Sequence, residues 1–379
     1  YTLTRDPGED VGTYVINVTG DEDQGNYHVT YTAGEFEITK SGELKLTAEL
    51  TGESATKVYD GTPLTGGATA NVKEGTTITY STDGGTTWTT DVPSITNVGT
   101  LNVTAKAENP NYEPAETTYS LTVTHATATV TADDKTKTYG EADPEFTANV
   151  KGVIETEKDT VQIAYNTPLT RDAGEAKGTY TIHVDGEEYQ GNYHVEYVAG
   201  TLTVTQQTID PEEPDPEKEY LGVTVDTPSD VTYDGNEHKW TPTVLDADEK
   251  ALTEGTDYTV SYDTEDFTNV HTITVTIEGI GNYTGTVVRT YAITPAEVTV
   301  TANNTGKVYG EADPELTAKV EGTIGNDEVV FKLERNPGED VGTYVINVTG
   351  DEDQGNYHVT YTAGEFEITK SGELKLTAE

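Results

Sequence analysis

The chain has no cysteine, no methionine, five phenylalanines and two tryptophans in 379 residues. Without cysteine no disulfide can hold a small domain together, although small extracellular domains commonly use them. Stability must come from packing, from neighbours or from other crosslinks. Without methionine there is no initiator residue, and Tyr1 opens no positively charged, then apolar leader; the expectation is an internal stretch of a longer polypeptide. No apolar run approaches the ~20 residues that span a bilayer as a helix. Basic residues are scarce, 22 Lys and Arg against 68 Asp and Glu, for a net charge of −46. A field of that sign repels phosphate backbones and anionic lipid surfaces, so neither nucleic acid nor membrane insertion is expected.

What the chain has in quantity is Thr, Gly and Tyr, residues of strands and turns. Period-2 patterns such as TYVINV and TLTVTQQ bury one face of a sheet, and no segment sustains a 3.6-residue period. The acids sit between alternating apolar residues rather than in blocks, which favours folded, heavily solvated modules over a disordered tail.

Repeats organise the chain at three levels. Residues 7–49 recur unchanged at 337–379, and TKTYGEADPEFTANVKG (136–152) returns as GKVYGEADPELTAKVEG (306–322). Hairpins ending in Asn-Tyr then close at Tyr112, Tyr193, Tyr283 and Tyr357. Two module types alternate, one with a Tyr-Asp-Gly turn (57–65 and 231–240), the other with Tyr-Gly-Glu-Ala-Asp-Pro. The boundaries that follow are a C-terminal half-module at 1–40, modules at 41–126 and 127–206, an acidic Pro-rich linker at 207–218, modules at 219–295 and 296–370, and the first strand of a next module at 371–379. The expected fold is all-β, a tandem array of small Ig-like β-sandwich modules in an extended rod.

On the YGEADP box (139–144 and 309–314) with its GTY…GNY hairpin, and on VYDGTPLT, YSTDGGTTWTT (80–90) and NVGTLNVTAKAENPNY, the chain resembles the bacterial MBG and YDG repeat domains of large surface adhesins. The resemblance implies an extracellular, bacterial cell-surface location and a spacer or adhesive role, with the YDG type at 41–126 and 219–295 and the MBG type at 1–40, 127–206 and 296–370. It transfers no active site.

No nucleophile elbow or phosphate-cradling loop is present, and repeated hairpin tips offer no apolar cleft to raise one carboxyl of an acid pair. No enzyme is expected, and no catalytic, cofactor-binding or metal residue is assigned. Calcium is the one cofactor considered, because GDEDQGN (20–26 and 350–356) places Asp21, Glu22 and Asp23 in one turn. His28, His194 and His358 follow Gly-Asn-Tyr, and His183 is expected across a hairpin from His194; a two-His metal site there lacks further ligands. Trp88 and Trp240 could stack on a sugar ring but suit packing better. Tyr27, Tyr112, Tyr193, Tyr283 and Tyr357 are expected to pack inward with their hydroxyls on nearby backbone. No isopeptide or ester crosslink is expected. Three function classes stand: a stalk or fibre, a self-assembling filament or surface-layer subunit, and a glycan- or mucin-binding module. The partners are neighbouring modules, identical chains, or host and cell-surface glycans. Open strand edges at 1–40 invite pairing with another chain.

Overall fold

A computed structural model describes the chain except for residues 43, 51–53, 211–222, 373–376 and 378–379. The described residues are strands and turns, interrupted by one 3-10 turn at Glu155–Glu157. Two compact units emerge, one of residues 1–135, 144–173 and 179–202, the other of residues 136–143, 174–178 and 203–379.

In the second unit, residues 296–370 form two four-stranded sheets. The first runs in the order Ala318–Glu321, Ala296–Ala302, Tyr357–Thr362, Asp353–Gln354; the second in the order Thr305–Val308, Gly364–Thr369, Gly342–Thr349, Lys332–Arg335. AEVTVTA and GEFEIT alternate buried and exposed along their length, so each sheet turns one face to the core. Two pairings are parallel, Ala296↔Tyr357 through Thr301↔Thr362 and Thr305↔Phe366 through Val308↔Thr369. Each joins the start of the module to its end, so neither half is a closed fold without the other. Gly322 ends the third strand at φ +103°, where a Cβ would lie 2.2 Å from the Glu297 carbonyl; Gly152 holds the equivalent place at φ +88°.

The preceding module builds its sheet from Val231–Thr232, Thr286–Thr294, His271–Gly279 and Tyr258–Tyr262. Gln207–Thr208 adds a parallel strand on Tyr283–Thr284, and Ile209 is fully buried. Residues 207–209 therefore open this module instead of belonging to the linker expected at 207–218. Residues 211–218 of that linker lie outside the described residues, as does most of 371–379. One cluster of buried side chains passes without a break from Val244, Ile273 and Ile293 into Val298, Tyr357 and Val359 of the next module.

In the first unit, residues 41–126 form a sheet of Thr77–Ser81, Gly99–Asn109, Tyr112–Thr124 and Ser54–Val58 over a core of Tyr80, Val103, Tyr119 and Leu121. Residues 1–40 carry the strands Thr2–Arg5, Gly12–Thr19 and Gly34–Ile38. Their sequence repeats that of 337–370 from residue 7 onward, yet burial differs sharply. Phe36 is 43% exposed where Phe366 is 0%, and Tyr27 is 76% exposed where Tyr357 is 4%. YHVTYT is a strand along all of Tyr357–Thr362, beside Ala296–Ala302, but only along Tyr27–His28 in the first copy. The same residues thus need the partner strands to complete their sheet.

Candidate functional site

The feature that recurs most faithfully is a clasp between consecutive modules. Its donor is the Asn-Tyr hairpin. Its receiver, on the module before, is the Tyr of the Tyr-Asp-Gly or Tyr-Gly-Glu box together with the backbone that leads into a Gly-Thr or His-Thr strand.

The asparagine makes the polar part. Asn111 Oδ1 accepts the Val11 N–H at 2.7 Å, and Asn192, Asn282 and Asn356 accept those of Val98, Lys177 and Val270 at 2.9 Å each. At three junctions the amide nitrogen also donates across: Asn111 to Asp10 at 2.8 Å, Asn192 to Asn97 at 3.1 Å, Asn356 to Asn269 at 2.9 Å. The backbone carbonyl of each asparagine meanwhile accepts from the N–H of a residue where its own module starts, at Ser41, Ala126, Gln207 and Ala296. One residue therefore ties its own module shut and the previous module on, its side-chain amide accepting at every one of these junctions and donating at three.

The tyrosines make the apolar part. Tyr59 meets Tyr193 edge-on with centroids 5.8 Å apart, Tyr139 meets Tyr283 at 5.5 Å, and Tyr233 meets Tyr357 at 5.6 Å. Edge-to-face contact at this spacing is the favoured aromatic arrangement. Where the receiver is a Tyr-Asp-Gly module, a carboxylate joins the pair. Glu157 accepts from Tyr59 and, at 2.5 Å, from Tyr193; Asp327 accepts from Tyr233 at 3.0 Å and Tyr357 at 2.7 Å. Burial, then the carboxylate bond, pushes Tyr193 and Tyr357 up to about 12. The glycine of the signature completes the fit: Gly235, at φ +80°, would bring a Cβ within 3.2 Å of Ile324 of the next module. The Tyr-Asp-Gly box is thus a docking turn.

The YGEADP box adds an ionic clip. The Lys307 side chain, 5% exposed, lies 2.6 Å from Asp313 and 2.5 Å from Glu339. Arg335 bonds the same two carboxylates at 2.6 Å each and stacks over Phe366. Lys137, 3% exposed, repeats the pattern with Asp143 at 2.7 Å and Glu175 at 2.6 Å. A cleft of about 480 Å³ opens beside the later clip, lined by Asp313, Leu316, Leu333, Glu334, Arg335 and Glu339. Hydrogen bonds from Arg335 and then Lys307 hold Asp313 at about 2, and those from Lys307 and then Arg335 lower Glu339. Acid–base chemistry needs one carboxyl raised, whereas both are held ionised here.

The other residues singled out in the sequence fall elsewhere. Among the described residues no three metal-ligating side chains converge; Asp23 bonds His28 at 3.2 Å, and the Asp21 carbonyl accepts from Gln24. His183 pairs with Thr170 in one sheet and bonds Asp172 at 2.8 Å, while His194 pairs with Tyr189 in another, so the expected pairing of the two histidines across a hairpin does not form. Trp240 packs against the core, and Trp88 stands on a turn, 39% exposed, with its indole N–H on the Gly85 carbonyl. The hairpin tyrosines Tyr193, Tyr283 and Tyr357 are buried as expected, and the hydroxyls of Tyr193 and Tyr357 accept the backbone N–H of Ile154 and Ile324 at 3.2 and 2.9 Å as expected, while each also donates to a carboxylate of its own module that was not anticipated. Sequence reasoning missed Glu157 and Asp327, although both lie five residues after the aligned glycines Gly152 and Gly322.

No curated protein matches the chain. Among solved structures, the N-terminal eight Ig domains of Down Syndrome Cell Adhesion Molecule are similar at 11% identity over 94% of this chain and 60% of that one, with a TM-score of 0.19. The human desmocollin-1 ectodomain is similar at 8% identity over 94% and 85%, TM-score 0.23, and domains 4–9 of the surface layer protein SbsC at 13% over 87% and 66%, TM-score 0.21. This chain therefore spans 60% of the first of these, and scores this low carry no further argument. The family model that matches is that of the MBG domain (YGX type), over residues 1–37, 128–203 and 298–367.

Proposed function

We propose that the chain is the structural stalk or fibre region of a bacterial cell-surface adhesin, non-catalytic, in which each module is held to the next by the Asn-Tyr clasp. The observation that carries this reading is the recurrence of one hydrogen bond, asparagine Oδ1 to a backbone N–H of the preceding module, at all four junctions. A repeat that spends its most regular side chain on its neighbour is built to fix inter-module geometry, as stacked repeats are. Like charge supports the same end, since a net −46 opposes collapse of modules onto one another within the Debye length of about 8–10 Å. The absence of cysteine makes the test clean. Spin labels on T118C and E196C bracket the first Tyr-Asp-Gly junction, and pulsed dipolar spectroscopy should give a narrow distance distribution that broadens in Asn192→Ala. An unchanged distribution would refute the clasp as the element that sets the junction. A glycan-binding reading is favoured by the exposed Trp88 alone; saturable binding on a glycan array, lost in Trp88→Ala, would establish it.

A further inference from the structure

A threonine closes each of the four modules between residues 41 and 370 in one way. The backbone N–H of the box tyrosine donates to its carbonyl: Tyr59 to Thr124 at 2.8 Å, and Tyr139 to Thr205, Tyr233 to Thr294 and Tyr309 to Thr369 at 2.9 Å each. Its hydroxyl donates back to the carbonyl two residues before that tyrosine: Thr124 to Lys57 at 3.4 Å, Thr205 to Lys137 at 3.2 Å, Thr294 to Val231 at 3.1 Å and Thr369 to Lys307 at 3.4 Å. We propose that this threonine is a load latch, placed so that tension along the chain is met in shear where each module closes.

In three modules the latch caps a parallel pairing between a strand near the module's start and its last strand: Ser54–Val58 on Ser120–Thr124, Val231–Thr232 on Ile293–Thr294, and Thr305–Val308 on Phe366–Thr369. The chain reaches the earlier strand at its N-terminal end and leaves the later one at its C-terminal end. In a parallel pair these ends are opposite, so tension slides one strand along the other and the cross-strand bonds resist together. Ends that lay side by side would peel apart one bond at a time. The latch adds two bonds from a single residue at the exit. Its tyrosine also presents its ring to the hairpin of the following module at Tyr59, Tyr139 and Tyr233. One residue therefore receives both the exit of its own module and the hairpin of the next.

Such a latch governs how fast a loaded module opens, because forced unfolding follows the unfolding rate. The inference rests on the stalk reading, since only a tethered fibre is pulled. Its readout is separate: rupture under load reports the latch, whereas the label distances above report the clasp, so either can fail while the other stands.

Optical tweezers on the full chain test it, with handles on cysteine pairs at exposed positions, since the chain has no cysteine of its own. Ser229→Cys/Pro295→Cys pulls on opposite ends of the pairing between Val231–Thr232 and Ile293–Thr294. Glu237→Cys/Pro295→Cys pulls on the C-terminal ends of both strands. The first arrangement should need about two to three times the force of the second, because bonds that share a load do not break in turn. In the first arrangement Thr294→Val, which keeps the branched shape and removes the hydroxyl, should open about five- to tenfold faster at fixed load. Thr290→Val, on an exposed face of the same strand, should open as the wild type does. Equal rupture forces in the two arrangements, or equal opening rates for Thr294→Val and Thr290→Val, would overturn the proposal.

Discussion

Phe366 and Phe36 offer a stability experiment with its control built into one chain. Both stand in the segment GEFEIT, but Phe366 is 0% exposed, packed with Ala302, Ile346 and Ile368, and Phe36 is 43% exposed. Truncating a fully buried phenylalanine to alanine costs about 3–5 kcal/mol, part transfer and part cavity. For Phe36 roughly half the ring area is already in water and no closed cavity is left, so the cost should be about 1–2 kcal/mol. Peptide-level hydrogen exchange cannot separate the two sites, because their peptides are identical. Fluorotyrosine labelling can, because its reporters survive the Phe→Ala changes: Tyr14 and Tyr31 report on residues 1–40, Tyr344 and Tyr361 on module 296–370, and a urea titration followed by fluorine NMR reads each local transition, assigned by single Tyr→Phe variants. Phe366→Ala should shift its own module's transition by at least twice as much as Phe36→Ala shifts that of residues 1–40. Equal shifts would show that the partner strands Ala296–Ala302 and Thr305–Val308 do not create the burial that separates the copies, and the account of the half-module would fail with them.

Other outcomes follow from the same geometry. Asn356→Ala should cost about 1–2 kcal/mol at its junction, the price of leaving the half-buried Val270 N–H unpaired, seen as earlier unfolding of modules 219–295 and 296–370 in calorimetry. Gly322→Ala should destabilise module 296–370 strongly, since the Cβ collides with the Glu297 carbonyl. Because Asp313 and Glu339 have depressed folded pKa values, the clip's contribution is present above the ordinary carboxylate range and lost as pH falls through about 2 for Asp313; thermal scans from pH 5 to pH 2 on wild type and Lys307→Met should converge at the acid end (roughly the carboxylate range). Tyr193, Tyr283 and Tyr357, pushed up to about 12, should resist ionisation as pH rises past the ordinary tyrosine value. Ultraviolet titration should show them ionising only as the fold is lost.

Fold class was legible because strands and turns are written locally. Period-2 runs predict faces, and Asp-Gly or Gly-Asn predicts turns. What escaped was whatever depends on the module next door. The parallel strand at Gln207–Thr208 reads as linker, since two polar residues ahead of a proline-rich stretch carry no strand signal until Tyr283–Thr284 lies alongside. His183 and His194 look like hairpin partners only if strands pair in sequence order, and here they enter different sheets. The tyrosines of Tyr-Asp-Gly and of Asn-Tyr were recognised separately as structural. That they touch each other could not be read from either motif, because each completes its pocket from the neighbouring module.

The two carboxylate-bridged junctions differ in a way that isosteric substitution can separate. Glu157 receives Tyr59 on one oxygen and Tyr193 on the other. Glu157→Gln turns one of those oxygens into a donor, so one buried tyrosine loses its acceptor and the junction should weaken by about 1–2 kcal/mol. Asp327 receives both tyrosines on the same oxygen, Oδ2. Asp327→Asn can rotate its amide to keep an oxygen there and should weaken the junction less than Glu157→Gln does. Calorimetric unfolding of the two variants compares them directly. If Asp327→Asn proves the more damaging, charge rather than acceptor geometry governs the bridge, and the clasp must be understood as an electrostatic contact instead of a fitted one.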